Sequence, residues 1–348
     1  MSARHATNGN SSSPGSRAAR MRDVAERAGV GMMTVSRVLN NTAHVREETR
    51  DRVYRALEEL QYRPNHLARA LRGARSYSIG VILPDLHDPF FSNCAHAINS
   101  VAKQHSYSVL ITTTNEGADT ELEEARELVG RQVDGLVVIP ACNGRSHLND
   151  QEFARTPMIC VDRPVLHSRL DRILVDNRKG AIAAVEHLLQ HGHKRISFIG
   201  MSKHIYTIEA RLAGYKKAMK AANLQTETFL AGEDEEATLG YLKSLRTRRD
   251  SPTAIFACSG LVSRHTLHAL AILGTSIPDQ VAFIGFDDFD LADIMRPAIT
   301  VVRQPVQRLG QMAADLLFKR LDKPNAAPQK ITLPVELILR GSCGCHFA

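Results

Sequence analysis

From Ser78 onward the chain carries seven continuous apolar runs of strand length: "SIGVILP", "YSVLITT", "DGLVVIP", "PMICVD", "RISFIG", "TAIFACS" and "VAFIGFD". Amphipathic helical patterns alternate with them, over about 92–105, 119–131, 178–191, 208–222, 259–273 and 306–321. This alternation constrains the fold more than any other feature. A strand that is apolar along its whole length has no side to show to water, so helices must cover both faces of its sheet. The pattern predicts parallel sheets, and the length of the chain allows two. "VDNRKG" (175–180) and "TVVRQP" (300–305) fall where the chain would cross between two lobes. The expected body spans 78–348. Its first lobe covers about 78–176 and 303–330, and its second about 177–302 and 331–345.

The segment before the body has another character. "MRDVAERAGV" sets Val24, Ala25 and Ala28 on one helical face, and Gly29 ends that helix. A second helix is expected at about 32–39. A third, at about 46–60, has Val53, Leu57 and Leu60 as its apolar stripe and acidic residues in its first turn, which suits the helix dipole. Three short helices, the first two joined by a three-residue glycine turn, predict a helix-turn-helix headpiece over 21–62. Residues 63–77 read as a hinge. Pro64 bars the preceding helix from continuing, and Asn65 is a good N-cap for a short helix at 66–72. This hinge is too small and basic to bury a core, so it is expected to become helical on contact with something else. Residues 1–20 are polar and rich in serine, and read as a disordered tail.

Charge separates the parts. Residues 1–77 hold 14 Arg, no Lys and 7 acidic residues, so 14 − 7 = +7; residues 78–348 hold 30 basic and 30 acidic residues, so 30 − 30 = 0. A basic module on a neutral body points to a nucleic-acid partner for the module. No run of 18 apolar residues predicts a membrane span, and the N-terminus lacks the apolar region of an export signal. A cytoplasmic setting with reduced thiols is expected.

Six cysteines show no paired spacing, and four lie in apolar segments. No metal and no cofactor is expected. The tail "GSCGCHFA", with Cys343 and Cys345, is weak evidence for a metal, and His191 and His193 in "QHGHKR" read as caps at a helix end. Catalysis is not expected. "GVGMMT" fails the dinucleotide-binding rule at its last position, and the chain has no G-x-S-x-G elbow, P-loop or H-E-x-x-H.

The headpiece "DVAERAGVGMMTVSRVLN" with the hinge "YRPNHLARALRG" resembles the LacI family of bacterial repressors. So do "IGVILPDLHDPFF", "VDGLVVIP", "VDRP", "VDNRKGA", "HGHKRISFIG", "RLAGYKKAM", "GFDDFDLA" and "TVVRQPVQRLG", in order and spacing over about 20–340. The resemblance implies a small all-α headpiece plus an α/β effector domain of two parallel-sheet lobes, periplasmic-binding-protein-like. It also implies a homodimer on near-palindromic double-stranded operator DNA, controlled by a small sugar or related metabolite.

In that family the second helix enters the major groove and paired hinge helices enter the minor groove. Arg37 can donate two hydrogen bonds to a guanine edge. Arg22, Thr34, Ser36 and Arg50 suit phosphate contacts. In the hinge, Asn65, Ala68, Leu71 and Arg72 match DNA-contacting positions, with Leu71 as the apolar wedge at a central base step. Met32 and Met33 match the two base-reading positions. Methionine offers no donor and only a weak acceptor, so it can cover a thymine methyl but cannot make a bidentate contact. Gly31 stands where the family usually has serine.

Ligands of two-lobed α/β proteins bind outside the carboxyl ends of strands. Asp85, Asp88, Phe90, Phe91, Asp162, Arg163, Asn177, Ser259, Asp287 and Asp288 fall at such ends, and Arg211 opens a helix. By resemblance Phe90 and Phe91 stack on the ligand, while Asp162, Arg163, Arg211 and Asp287 make polar contacts, and Asp88 and Ser259 belong to the same effector site. A single Asp at such a place equally suits a helix N-cap or a turn. After "TAIFA" this chain has Ser259 and Gly260 where the family often has Asn-Asp, and His265 replaces a small residue. The rim loses an amide and a carboxylate, which leaves room for a ligand that is anionic or less hydroxylated than a simple sugar. Two other classes stay open: a sugar-binding sensor or transport receptor without specific DNA readout, and a sugar-processing enzyme, for which no nucleophile or acid–base pair presents itself. The family's tetramers end in leucine heptads. This chain shows none, so a dimer is expected.

Overall fold

The structure, a computed structural model of the chain, describes residues 19–40, 45–62, 75–141, 147–165, 168–201 and 205–345. The chain divides into two compact units, 1–74 and 75–348.

In the first unit three helices, α1 (Met21–Ala28), α2 (Met32–Asn40) and α3 (Glu47–Glu59), enclose a small core. Its buried residues are Val24, Ala25, Ala28, Val35, Val38, Val53 and Ala56, with Leu57, Leu60 and Tyr62 packed at the edge. Gly29 adopts a left-handed conformation (φ 64°), and its N–H returns to the carbonyls of Ala25 and Glu26. Only glycine takes that turn without strain. Glu47 and Glu48 fill the first turn of α3, as expected from the dipole. Arg20, at the end of the predicted tail, is the N-cap of α1. The rest of that tail lies outside the described residues.

The second unit holds two six-stranded sheets. The first runs β11-β5-β4-β3-β1-β2, from β1 (Ser78–Leu83), β2 (Ser108–Thr113), β3 (Gly135–Val138), β4 (Met158–Val161), β5 (Asp171–Val175) and β11 (Lys330–Leu333). All its pairings are parallel. The second runs β12-β10-β9-β8-β6-β7, from β6 (Ile196–Gly200), β7 (Glu227–Leu230), β8 (Ala254–Ala257), β9 (Ala282–Phe286), β10 (Thr300–Arg303) and β12 (Glu336–Ile338). Here one edge departs from expectation: β12 is antiparallel to β10. It follows a short link from β11 and enters the sheet from the opposite end.

Helices α4 (Pro89–Gln104), α5 (Ala118–Gly130) and α10 (Val306–Asp322) accompany the first sheet. α6 (Asn177–Gln190), α7 (Tyr206–Ala221), α8 (Glu235–Leu245) and α9 (Gly260–Ile272) accompany the second. Of these, α8 was not anticipated. Both expected crossings are present, β5 into α6 and β10 into α10, and a third follows β11. The lobe boundary expected at 330/331 moves, because Ile331, Thr332 and Leu333 pair with β5 in the first sheet.

Each lobe locks one helix pair through a glycine. A Cβ on Gly310 of α10 would lie 2.6 Å from the Cys94 carbonyl of α4, and one on Gly214 of α7 would lie 2.5 Å from the Arg178 carbonyl of α6. Backbone therefore meets backbone at both places, and neither position has room for a side chain.

Candidate functional site

In the headpiece, α2 turns Val35 and Val38 into the core. The same helix must then present its other face to solvent, and Met32 and Met33 are 54% and 71% exposed. Arg37, four residues beyond Met33, is exposed on the same face. Thr34, Ser36 and Arg50 are half-buried. Arg22 is exposed and pairs with Glu26 at 3.3 Å, a surface contact of little energy that leaves the guanidinium available. The Gly31 carbonyl accepts from Thr34 and Val35, and a Cβ there would meet nothing within 4 Å. Glycine at this position is not forced by packing. Asn65, Ala68, Leu71 and Arg72 lie outside the described residues.

In the body, the loops after the strand ends enclose a cavity of about 310 Å³. Asp88, Phe90, Phe91, Asp162, Arg163, Arg211, Ser259 and Asp287 all line it. Sequence reasoning missed Asn115, Glu116, Met201, Thr207, Glu233 and Gln304, which line it too. Asn115 and Glu116 follow β2, a strand end that could have been read like the others.

Arg211 is buried. Its Nε donates to Asn177 Oδ1 at 2.8 Å and its Nη1 to the Cys258 carbonyl at 2.7 Å. Asp287 Oδ2 lies 3.6 Å from the same Nη1, and the guanidinium carbon sits 3.6 Å from the centre of the Phe286 ring. Arg163 is buried as well. It makes a bidentate pair with Glu116 at 2.6 and 2.8 Å and donates to the Pro140 carbonyl at 3.0 Å. Two charged groups are thus fixed by directional bonds rather than left to sample rotamers.

The carboxylates divide by role. Asp88 Oδ1 accepts from Phe90 N–H at 2.9 Å, and so caps α4. Burial, helped by Asp287, raises the Asp88 pKa. Ser259 caps α9 through Val262 N–H at 3.3 Å. Asp287, at φ 76°, accepts from Gly260 N–H at 3.2 Å and from the Gln304 side chain. Asp288 lies away from this cavity and is held by Arg303 and Arg340. Burial opposes its ionisation, yet those two guanidiniums keep its carboxyl below the usual range. Asp162 differs from all of these. It is 3% exposed, at φ 64°, and its Oδ1 has no hydrogen-bond partner. Burial pushes its pKa up to about 6 despite Arg163 and Arg211 nearby. An unpaired buried carboxylate oxygen costs stability, and such a cost persists at binding sites.

A larger recess of about 560 Å³ shares Asp88, Phe90, Asp287 and Gln304. The smaller one holds Asp162 and both buried arginines, and is the better candidate.

The predicted caps at the end of α6 need one correction. His191 is the C-cap, and its Nδ1 meets the His187 carbonyl at 2.9 Å. His193 instead meets Thr253 Oγ1 at 3.0 Å.

A helix-turn-helix module followed in the chain by a two-lobed body with a polar cleft defines DNA-binding regulators that carry an effector domain. Comparison with known proteins agrees. Residues 20–65 match the bacterial regulatory proteins of the lacI family, and residues 185–343 match a periplasmic binding protein-like domain. The chain is 33% identical over 333 residues to the HTH-type transcriptional regulator DegA of Bacillus subtilis, covering 92% of this chain and 96% of that protein. It is 31% identical over 322 residues to the ribose operon repressor of Halalkalibacterium halodurans, again covering 92% and 96%. The structure of the Lac repressor dimer bound to operator and the anti-inducer ONPF superposes with TM-score 0.82 at 25% identity, covering 94% of this chain and 99% of that one. The chain belongs to the LacI family of bacterial regulatory proteins. Among the described residues no helix is long and apolar enough to cross a membrane.

Proposed function

We propose that the protein is a transcriptional repressor. It binds a near-palindromic operator as a homodimer in the bacterial cytoplasm and takes a small carbohydrate or related metabolite between its lobes, without turning it over. The cleft carries this reading. Six carboxylates line it (Asp85, Asp88, Glu116, Asp162, Glu233 and Asp287) against two guanidiniums, Arg163 and Arg211. Both guanidiniums already have carboxylates beside them. That excess of acceptors repels an anionic ligand and suits the hydroxyls of a neutral polyol, with Phe90 and Phe91 against its apolar face. The ribose operon repressor among the relatives and the dimeric Lac repressor on operator support the ligand class and the assembly.

On the DNA, Arg37 carries the polar readout and Met32 with Met33 give apolar, weaker discrimination. Met33→Gln adds a bidentate donor–acceptor pair in the major groove. It is expected to change base preference at one position of each half-site, by about 1–3 kcal/mol, measured by competition binding to a set of operator variants. An unchanged preference at every position removes the assignment. Leu71→Ala removes the wedge. Operator affinity is expected to fall at least about tenfold at constant salt, with non-specific binding unchanged.

The experiment that tests the function is selection from random duplexes at near-physiological salt, followed by release of the selected DNA with a panel of neutral sugars. Enrichment of one near-palindrome and its release by a sugar support the reading. Salt-sensitive, sequence-independent binding alone would leave a sugar sensor without specific readout in its place.

A further inference from the structure

We propose that His187, His191, Cys343 and Cys345 form a binding site for a thiophilic divalent cation, zinc foremost. It lies on the back of the second lobe, outside the ligand cleft. The four residues come from two places: His187 stands near the end of α6 and His191 caps it, while the two cysteines follow β12 at the end of the chain.

His187 Nε2, His191 Nε2 and Cys345 Sγ lie within 4.8 Å of one another. Cys345 Sγ is 3.3 Å from His187 Nε2 and 3.2 Å from His191 Nε2. Cys343 Sγ is 3.3 Å from His187 Nε2 and 3.3 Å from Cys345 Sγ. A tetrahedral zinc with Zn–N bonds near 2.1 Å and Zn–S bonds near 2.3 Å holds its donors about 3.4–3.8 Å apart. The separations of 3.2–3.3 Å are a few tenths of an ångström shorter than that, and Cys343 Sγ stands outside the group of three, so a bound ion draws the four side chains outward and Cys343 toward it. Two thiols with two imidazoles are the donor set that zinc prefers.

Local structure builds the arrangement. His187 and His191 are four apart on one helix, so both rings project from the same face. The ring centres are 4.3 Å apart and the planes 42° apart, which lets both Nε2 atoms converge. His191 Nδ1 is engaged by the His187 carbonyl at 2.9 Å, leaving Nε2 as the free ligand atom, an outer-shell bond of the kind that orients metal-binding imidazoles. Gly344, at φ 87°, gives the turn that brings both sulfurs to one side. Ser342 anchors this turn, donating to the Phe283 carbonyl at 2.7 Å. His187 and Cys343 are buried, whereas His191 is exposed and Cys345 half-buried, so an ion can enter from solvent.

Binding one cation exchanges two thiol protons for two metal–sulfur bonds. The protons go to water and no electron moves. The bound ion would tie the end of the chain to α6, whose first residue, Asn177, holds Arg211.

The test uses untagged full-length protein, purified and dialysed under reducing conditions. Metal content is measured by mass spectrometry, and the chelator-treated protein is then titrated with cobalt(II). The expected result is one zinc per chain. Cobalt should give an intense thiolate charge-transfer band and the strong visible bands of a tetrahedral site. His191→Ala and Cys345→Ser should each weaken cobalt binding at least about tenfold. A chelator should lower the melting temperature of the wild type by several degrees and leave that of Cys345→Ser unchanged. Substoichiometric zinc with only the weak spectrum of octahedral cobalt overturns the proposal. So does a Cys343–Cys345 disulfide that persists in reductant with no metal uptake.

Discussion

Arg211→Ala is expected to yield a repressor that holds its operator but no longer releases it on addition of effector. Unfolding in urea should show a loss of about 3 kcal/mol, the low end for breaking a buried ion pair because Asp287 keeps two other donors. The substitution removes two directional hydrogen bonds and the stacking on Phe286. It leaves Asn177 Oδ1 and the Cys258 carbonyl without their buried donor, and it takes away the charge beside Asp287. Arg211→Lys should recover only part of either loss, because an ammonium cannot reach both acceptors along the same fork. Full effector response in Arg211→Ala would remove this residue from the ligand site.

Asp162→Asn is expected to do the opposite to stability. The wild-type carboxyl has a folded-state pKa of about 6, above its ordinary value of 3.8. The folded state therefore binds more protons than the unfolded state between those values, and stability falls as pH rises through that window. Below pH 4 both states are protonated and the group contributes no penalty. Above pH 6 the whole penalty is present. Asparagine keeps the shape, tolerates the positive φ and carries no charge. The variant should melt at higher temperature than wild type at pH 7.5, by at most about 3 kcal/mol in free energy, and the difference should shrink toward zero at pH 4. At pH 7.5 its effector affinity should fall about tenfold or more, because the unpaired oxygen that a ligand hydroxyl would meet loses its charge. Equal stability at both pH values would mean that burial of Asp162 costs nothing. Unchanged affinity would mean that it faces no ligand.

Much of this site was legible in the sequence, for a physical reason. A strand buried on both faces is apolar to its last residue, so the first polar residue beyond it marks the carboxyl end, where parallel sheets bind ligands. Asp162 after "PMICV" and Asp287 after "VAFIGF" were found in that way. What could not be read was who pairs with whom. Glu116 reaches Arg163 across 47 positions, and Gln304 reaches Asp287 from a crossing segment. β11 escaped because as an edge strand it is half exposed, with Lys330 and Thr332 outward, and carries no apolar run. The cysteines of the tail looked isolated because their partners on α6 are 154 to 158 positions away. Such juxtapositions depend on the sheet order, which no local pattern encodes.

Two of the three crossings between the lobes also hold, by hydrogen bonds, side chains that line the cleft. Asn177 opens the helix after the first and holds Arg211, and Gln304 follows β10 and donates to Asp287. Under the proposed function, recognition and transmission share the same atoms. On that reading, a lineage that changed Arg211 or Asp287 to accept a new ligand would also change the contacts to residues 177 and 304 that reach the crossings. Descendants with altered specificity would then pass through altered or silent responses, unless residues 177 and 304 change in step with them.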